Sequence, residues 1–141
     1  GDGPYRERIL EELGKFENFI WLGRLDYPEK VRDFLSEIDI YALISGMDLA
    51  PLTLKEAQLM EKPSIATNAG GIPEMMEDGI TGFLVKEGDS DDLNKKLSIL
   101  LDDSELQKKM GKAGREFVIE NFSWEIIAKK FIENITPYIK K

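Results

Sequence analysis

The side chains best placed to do chemistry are the carboxylates of Asp48 and Glu56. Asp48 lies in a loop after an apolar run, and Glu56 lies in the helical stretch that Pro51 can open. In open α/β sheets, ligands bind outside the carboxyl ends of the strands, where the first turn of the next helix favours an anion. We therefore expect the Leu52 and Thr53 amides to bind phosphate and Glu56 to contact ribose hydroxyls.

These residues also have ordinary structural interpretations. A loop aspartate before a helix commonly caps it or stabilises a turn, and a helical glutamate is commonly solvated. Two further segments follow expected strands: the glycine pair Gly70 and Gly71, and the segment Gly23, Arg24 and Leu25. Adjacent glycines allow either a sharp turn or a close approach to a ligand. The sequence leaves both alternatives open.

Composition limits the chemistry of the chain. Its 141 residues are 42% apolar and 33% charged, as expected for one globular domain with a core. Cys and His are absent, which excludes disulfides, thiolate catalysis and the commonest metal ligands, and we predict no metal site. A net charge of −8 argues against nucleic-acid binding. With neither a spanning apolar run nor a visible secretory leader, we expect a cytoplasmic location.

Apolar runs alternate with amphipathic stretches, the pattern of α/β proteins with a mainly parallel sheet. The expected strands are 19–22, 40–44, 64–67 and 82–85, the second of them buried on both faces. Helices are expected at about 4–15 and 123–138, the second with Ser123 as its N-cap, and Pro51 can open another that carries Met60. Apolar stripes within 31–38, 93–101 and 106–117 indicate further helices, and a short one is expected to end near Gly79. Because a doubly wound sheet usually has about six strands, we expect the first strands to precede this sequence.

Taken in order, these motifs resemble the C-terminal, donor-binding domain of the group-1 retaining glycosyltransferases of the GT-B fold. The segments that carry the resemblance are 1–4, 21–23, Asp39, Ser45, Asp48, 56–57, 63–67, 70–74, 79–85 and 122–124. They cover nearly the whole chain. The resemblance implies a Rossmann-like, doubly wound parallel sheet with extra C-terminal helices, which is one partial domain over residues 1–141.

The resemblance also implies roles for individual residues. Glu56 would accept hydrogen bonds from the ribose, and Asp48 stands at the acidic catalytic position that faces the donor sugar. The residues implied to contact sugar and diphosphate are Asp48, Ala50, Pro51, Leu52 and Thr53. The residues implied to line the base are Gly23, Arg24 and Leu25. The donor would be a UDP- or GDP-linked sugar, and no cofactor is implied.

This sequence departs from the family at two positions. Asp48 stands where the family usually has the longer Glu, and Pro51 stands where it favours Gly, so one amide donor is lost. The family's diphosphate-neutralising Arg and Lys and its acceptor-binding N-terminal domain are expected outside this sequence, as is any membrane contact. The chain alone is therefore predicted to transfer no sugar. The last helix would contact that other domain, with an ordinary packing helix as the alternative.

In this family the sugar is transferred with retention of configuration, and the protein orients the donor and stabilises the leaving diphosphate. A non-catalytic nucleotide-binding or interaction module is the main alternative, because a fold does not fix a function. A sugar-nucleotide epimerase or a glycogen-phosphorylase-like enzyme of the same fold is a third hypothesis.

Overall fold

The computed structural model describes residues 2–139, which fall into two compact units. The first unit ends at Phe34 and the second begins at Leu35. In chain order the elements are α1 (Arg6–Leu13), α2 (Glu29–Glu37), β1 (Tyr41–Leu43), α3 (Leu52–Leu59), β2 (Ser64–Thr67), a 3-10 helix (Ile72–Met75), β3 (Gly82–Val85), α4 (Ser90–Asp102), α5 (Ser104–Phe122) and α6 (Trp124–Ile139).

The first unit contains α1 and the beginning of α2. None of its described side chains is buried. The Arg6 guanidinium lies over the Trp21 ring, 4.4 Å from its centroid, and pairs with Asp2 at 3.7 Å. The predicted strand at 19–22 is wrong, because this segment has no regular structure and the strands of the described chain pair only with one another. A strand requires backbone hydrogen bonds to a neighbour.

The second unit is built on a parallel sheet with the strand order β1-β2-β3. Tyr41 lies opposite Ser64, and Ser64 lies opposite Gly82. Every residue of β2 is buried, whereas β1 is only partly buried. The prediction that 40–44 forms a strand buried on both faces is therefore wrong. Within the described chain β1 is an edge strand, and β2 takes the central place.

Helices cover both faces of this sheet, and side chains that alternate along β2 form two cores. The core that includes Ala66 contains Leu54, Ile72, Met75 and Met76, with Tyr41, Leu43, Leu84 and Phe122 packed against it. The core that includes Ile65 contains Val85, Leu100 and Met110, with Ile40, Phe83, Leu93, Leu97 and Leu106 packed against it. A parallel sheet between helices confirms the predicted α/β, doubly wound class.

The C-terminal helices differ in how many of their side chains are buried. Asp89 and Asp103 cap α4 and α5 by accepting hydrogen bonds from first-turn amides. The Ser123 carbonyl accepts the Ile127 amide at 2.9 Å, as expected of the residue that precedes α6. None of the described side chains of α6 is buried, and Trp124 is 82% exposed. The apolar stripe of α6 is therefore largely open within the described chain.

Candidate functional site

The loop from β1 to α3 ends in a helix start without a side-chain cap. Pro51 is buried and takes the N-cap position, with extended backbone angles, and α3 begins at Leu52. The first amides of an α-helix have no intrahelical partner. Leu52 is 69% exposed and Thr53 is also exposed, so this end of the helix is open to a ligand. Pro51 therefore opens the helix, as predicted.

Asp48 is half-buried in this loop and stabilises its turn. Its Oδ1 accepts a hydrogen bond from the Ala50 amide at 3.2 Å. The turn role considered for this aspartate is therefore present, and the Ala50 amide already has an acceptor. The other carboxylate oxygen, Oδ2, accepts no hydrogen bond from the part of the chain that the structure describes.

The glycine pair after β2 packs directly against the same loop. The Gly71 amide donates to the Asp48 carbonyl oxygen at 2.8 Å. A Cβ on Gly71 would lie 2.0 Å from the Leu49 carbonyl oxygen, and one on Gly70 would lie 2.4 Å from that of Asp48. Gly70 also has a φ of +58°, which favours glycine. The close approach that these glycines allow is thus to the loop backbone, and it fixes the position of Asp48.

Glu56 lies on α3, half-buried, and its carboxylate accepts no hydrogen bond from the described residues. Near it, the Tyr41 hydroxyl donates to Thr53 Oγ1 at 2.8 Å. Burial raises the pKa of Tyr41, the hydrogen bond with Thr53 lowers it, and the negative charges of Glu56 and Asp48 raise it further. Both carboxylates are therefore close enough to one hydroxyl group to act on it electrostatically.

Tyr41 is a candidate site residue that the sequence motifs do not indicate, because it lies within the apolar run 40–44. Two signals point to it. A tyrosine in a partly buried strand usually needs a partner for its hydroxyl. The two-residue period of a strand puts Tyr41 and Leu43 on one face, and both pack against the core that contains Leu54 of α3.

The carboxyl ends of β1 and β2 are linked by Thr67. Its Oγ1 accepts a hydrogen bond from the Ser45 amide at 3.1 Å and donates to the Leu43 carbonyl oxygen at 3.4 Å. The Ser45 hydroxyl in turn donates to the Met47 carbonyl oxygen at 3.1 Å. These bonds hold the beginning of the loop that carries Asp48.

The residues expected to line a base lie in the first unit. Gly23 has a φ of +68°, Arg24 is exposed and Leu25 is half-buried. All three lie in the irregular segment between Trp21 and α2. Their role at the base stays a prediction.

Residues 2–139 lack two other features that would bear on function. No group of three or more acidic side chains there is arranged to hold a metal ion. None of the described helices combines the length and apolar character that a bilayer-spanning helix needs.

Comparison with known proteins gives consistent relatives. A GDP-mannose-dependent monoacylated alpha-(1-6)-phosphatidylinositol monomannoside mannosyltransferase of Corynebacterium glutamicum is 36% identical over 139 residues, which cover 92% of this chain and 36% of that protein. A glycosyltransferase from Rickettsia africae ESF-5 superposes with a TM-score of 0.84 at 30% identity, covering 97% of this chain and 37% of that one. Anabaena Alr3699/HepE in complex with UDP-glucose superposes with a TM-score of 0.78 at 22% identity, covering 94% and 36%, and shows the fold alone.

The chain spans between 26% and 36% of the length of the first four curated relatives it matches. Its structural neighbours are glycosyltransferases of the GT-B fold, which confirms the predicted resemblance. Residues 1–117 match the family "Glycosyl transferases group 1". This chain therefore belongs to the group 1 glycosyl transferases.

Proposed function

We propose that this chain is the donor-binding part of a glycosyltransferase that takes its sugar from a nucleoside-diphosphate sugar. The observation that carries this proposal is the start of α3, which has no side-chain cap and begins with the exposed residues Leu52 and Thr53. The loop that carries Asp48 leads into this helix, and Glu56 lies about one turn further along it. Such a helix end favours a phosphate group, and the flanking carboxylates suit the hydroxyls of sugar and ribose.

Each group at this helix end has a proposed part in binding. Glu56 accepts hydrogen bonds from the ribose, and Asp48 uses Oδ2 to accept one from the donor sugar. The Leu52 and Thr53 amides bind the diphosphate. The Ala50 amide is occupied by Asp48, so it reaches the donor only if that bond opens. Pro51 has no N–H and contributes by fixing the start of the helix.

The printed descriptions of two relatives support the proposed class of donor. One is named as dependent on GDP-mannose, and another was solved with UDP-glucose, so we propose a GDP- or UDP-linked sugar. Gly23, Arg24 and Leu25 would contact its base. We propose transfer with retention of configuration, in which the protein orients the donor and stabilises the leaving diphosphate.

The acceptor is proposed to bind to another domain of a longer protein. The curated relatives are about three times as long as this chain, and β1 has no strand on its outer side among the described residues. The exposed stripe of α6, which includes Trp124 and Phe131, offers an apolar surface for such a domain. We propose that the chain is a partial domain and that it transfers no sugar alone.

Calorimetric titration with UDP-glucose and with GDP-mannose tests donor binding. Glu56→Ala should lower the affinity for the donor at least about tenfold, since a hydrogen bond to a charged group contributes about 1.5–3 kcal/mol. Glu61→Ala is the matched control, because this glutamate follows the other end of α3 and its side chain is 45% exposed. Equal affinity in both variants would contradict the proposal. Heat from neither donor would instead favour a non-catalytic interaction module.

A further inference from the structure

We infer that Tyr41 is a positioning residue which, by donating its O–H to Thr53, turns the Thr53 hydroxyl proton toward the donor diphosphate. This inference rests on the proposed function and adds a side-chain donor to the expected backbone amides. The hydrogen bond joins the edge strand β1 to the second residue of α3.

The direction of the Thr53 proton follows from hydrogen-bond capacity. A threonine hydroxyl has one proton and two lone pairs. Tyr41 uses a lone pair of Oγ1 across 2.8 Å, so the Thr53 proton must point elsewhere. Within residues 2–139, no acceptor for it is found. Thr53 is exposed in the first turn of the helix, where an anionic oxygen is expected to bind.

The Tyr41 hydroxyl is suited to act as the fixed donor of this pair. Its ring packs against the core that contains Leu54 and Ala66, which limits how far the hydroxyl can move. Burial, together with the charges of Glu56 and Asp48, raises the pKa of Tyr41. The phenol is protonated at neutral pH, as a tyrosine with an ordinary pKa also is, and its O–H donates a hydrogen bond to Thr53.

This arrangement offsets one of the departures from the family. Pro51 removes an amide donor at the start of α3. A Thr53 hydroxyl directed outward supplies a donor in the same turn of the helix. Tyr41 and Pro51 are thus linked: the proline removes a donor, and the tyrosine orients a replacement.

The test compares UDP with uridine, which lacks phosphate, as ligands of the full 141-residue chain in an NMR shift titration that detects weak binding. Tyr41→Phe keeps the ring and removes the hydroxyl. This variant should bind UDP about fivefold more weakly, the equivalent of one neutral hydrogen bond, and its affinity for uridine should be unchanged. Thr53→Val should have a similar effect, whereas Thr53→Ser should keep wild-type affinity. The Tyr41→Phe/Thr53→Val double variant should lose no more than Thr53→Val alone, since the two groups act as one unit.

The possible outcomes distinguish failure of the inference from failure of the proposed function. If Tyr41→Phe binds UDP as wild type does, the inference is overturned and the proposed function stands. Equal loss of UDP and uridine would mean a general loosening of the site and would also overturn it. If the wild-type chain has no affinity for UDP, the proposed function fails, and the inference fails with it. If Tyr41→Phe does not fold, unequal affinities of Thr53→Val and Thr53→Ser for UDP support the inference, and equal ones overturn it.

Discussion

Gly71 is expected to tolerate no side chain, because its Cα lies against the loop that carries Asp48. In Gly71→Ala the new Cβ would lie 2.0 Å from the Leu49 carbonyl oxygen, whereas ordinary contact begins at 3.4 Å, so one segment must move by roughly 1.4 Å. That movement also strains the 2.8 Å hydrogen bond from the Gly71 amide to Asp48. Overpacking costs about 1–3 kcal/mol and the hydrogen bond about 1 kcal/mol, so we expect a loss of about 2–4 kcal/mol in the free energy of unfolding.

Urea unfolding measures this loss, and a UDP titration measures its effect on the site. We expect UDP affinity to fall at least about tenfold, since displacing a binding group by about 1 Å is costly. Gly46→Ala is the matched control in the same loop, because its nearest neighbour is the flexible end of Glu87, at 3.0 Å. It should change stability by no more than about 0.5 kcal/mol. The reasoning is refuted if the two variants unfold alike and bind UDP alike.

Two further predictions concern stability. Glu61 follows Met60, the C-cap of α3, and has a φ of 57°, where glycine is favoured. Glu61→Gly should therefore raise the free energy of unfolding in urea by about 1 kcal/mol. Glu61→Ala is the control, because it loses the same exposed ion pair with Arg115 but keeps the Cβ. An equal gain in the free energy of unfolding in Glu61→Ala would contradict the explanation. Hydrogen bonding to Lys96 lowers the pKa of Asp92 from 3.8, so its stabilisation is present above about pH 4 and is lost as pH falls through the lower folded-state pKa. Asp92→Asn should therefore be less stable than wild type at pH 7, with the difference closing in acid, and a difference independent of pH would contradict this pairing.

Local sequence signals were enough to predict the elements that depend on local chemistry. The predicted bounds of β2 and β3 agree with the structure, since Pro63 precedes one strand and Gly82 begins the other. The errors concern pairing. Whether residues 19–22 form a strand, and how deeply β1 is buried, depends on which strands lie beside them. Hydrophobic periodicity carries no information about such neighbours.

At the candidate site, too, local features could be predicted from the sequence, whereas contacts between elements could not. The order of residues along the chain predicts Asp48 before a helix start and Glu56 within the helix, and in the structure α3 begins between them, at Leu52. The hydrogen bond from Tyr41 to Thr53 joins residues of two elements, so no local pattern reveals it. The contact of Gly71 with the loop backbone is equally nonlocal, which is why a turn and a ligand approach could not be separated from sequence.

The central claim is that the start of α3 binds a nucleoside-diphosphate sugar between Asp48 and Glu56. The most direct measurement is an amide-resolved NMR titration of the isotope-labelled chain with UDP-glucose and GDP-mannose. We predict that one of these donors shifts the amides of Asp48, Leu52, Thr53 and Glu56 most strongly. Saturable shifts confined to other parts of the chain, or no shifts with either donor, would contradict the claim.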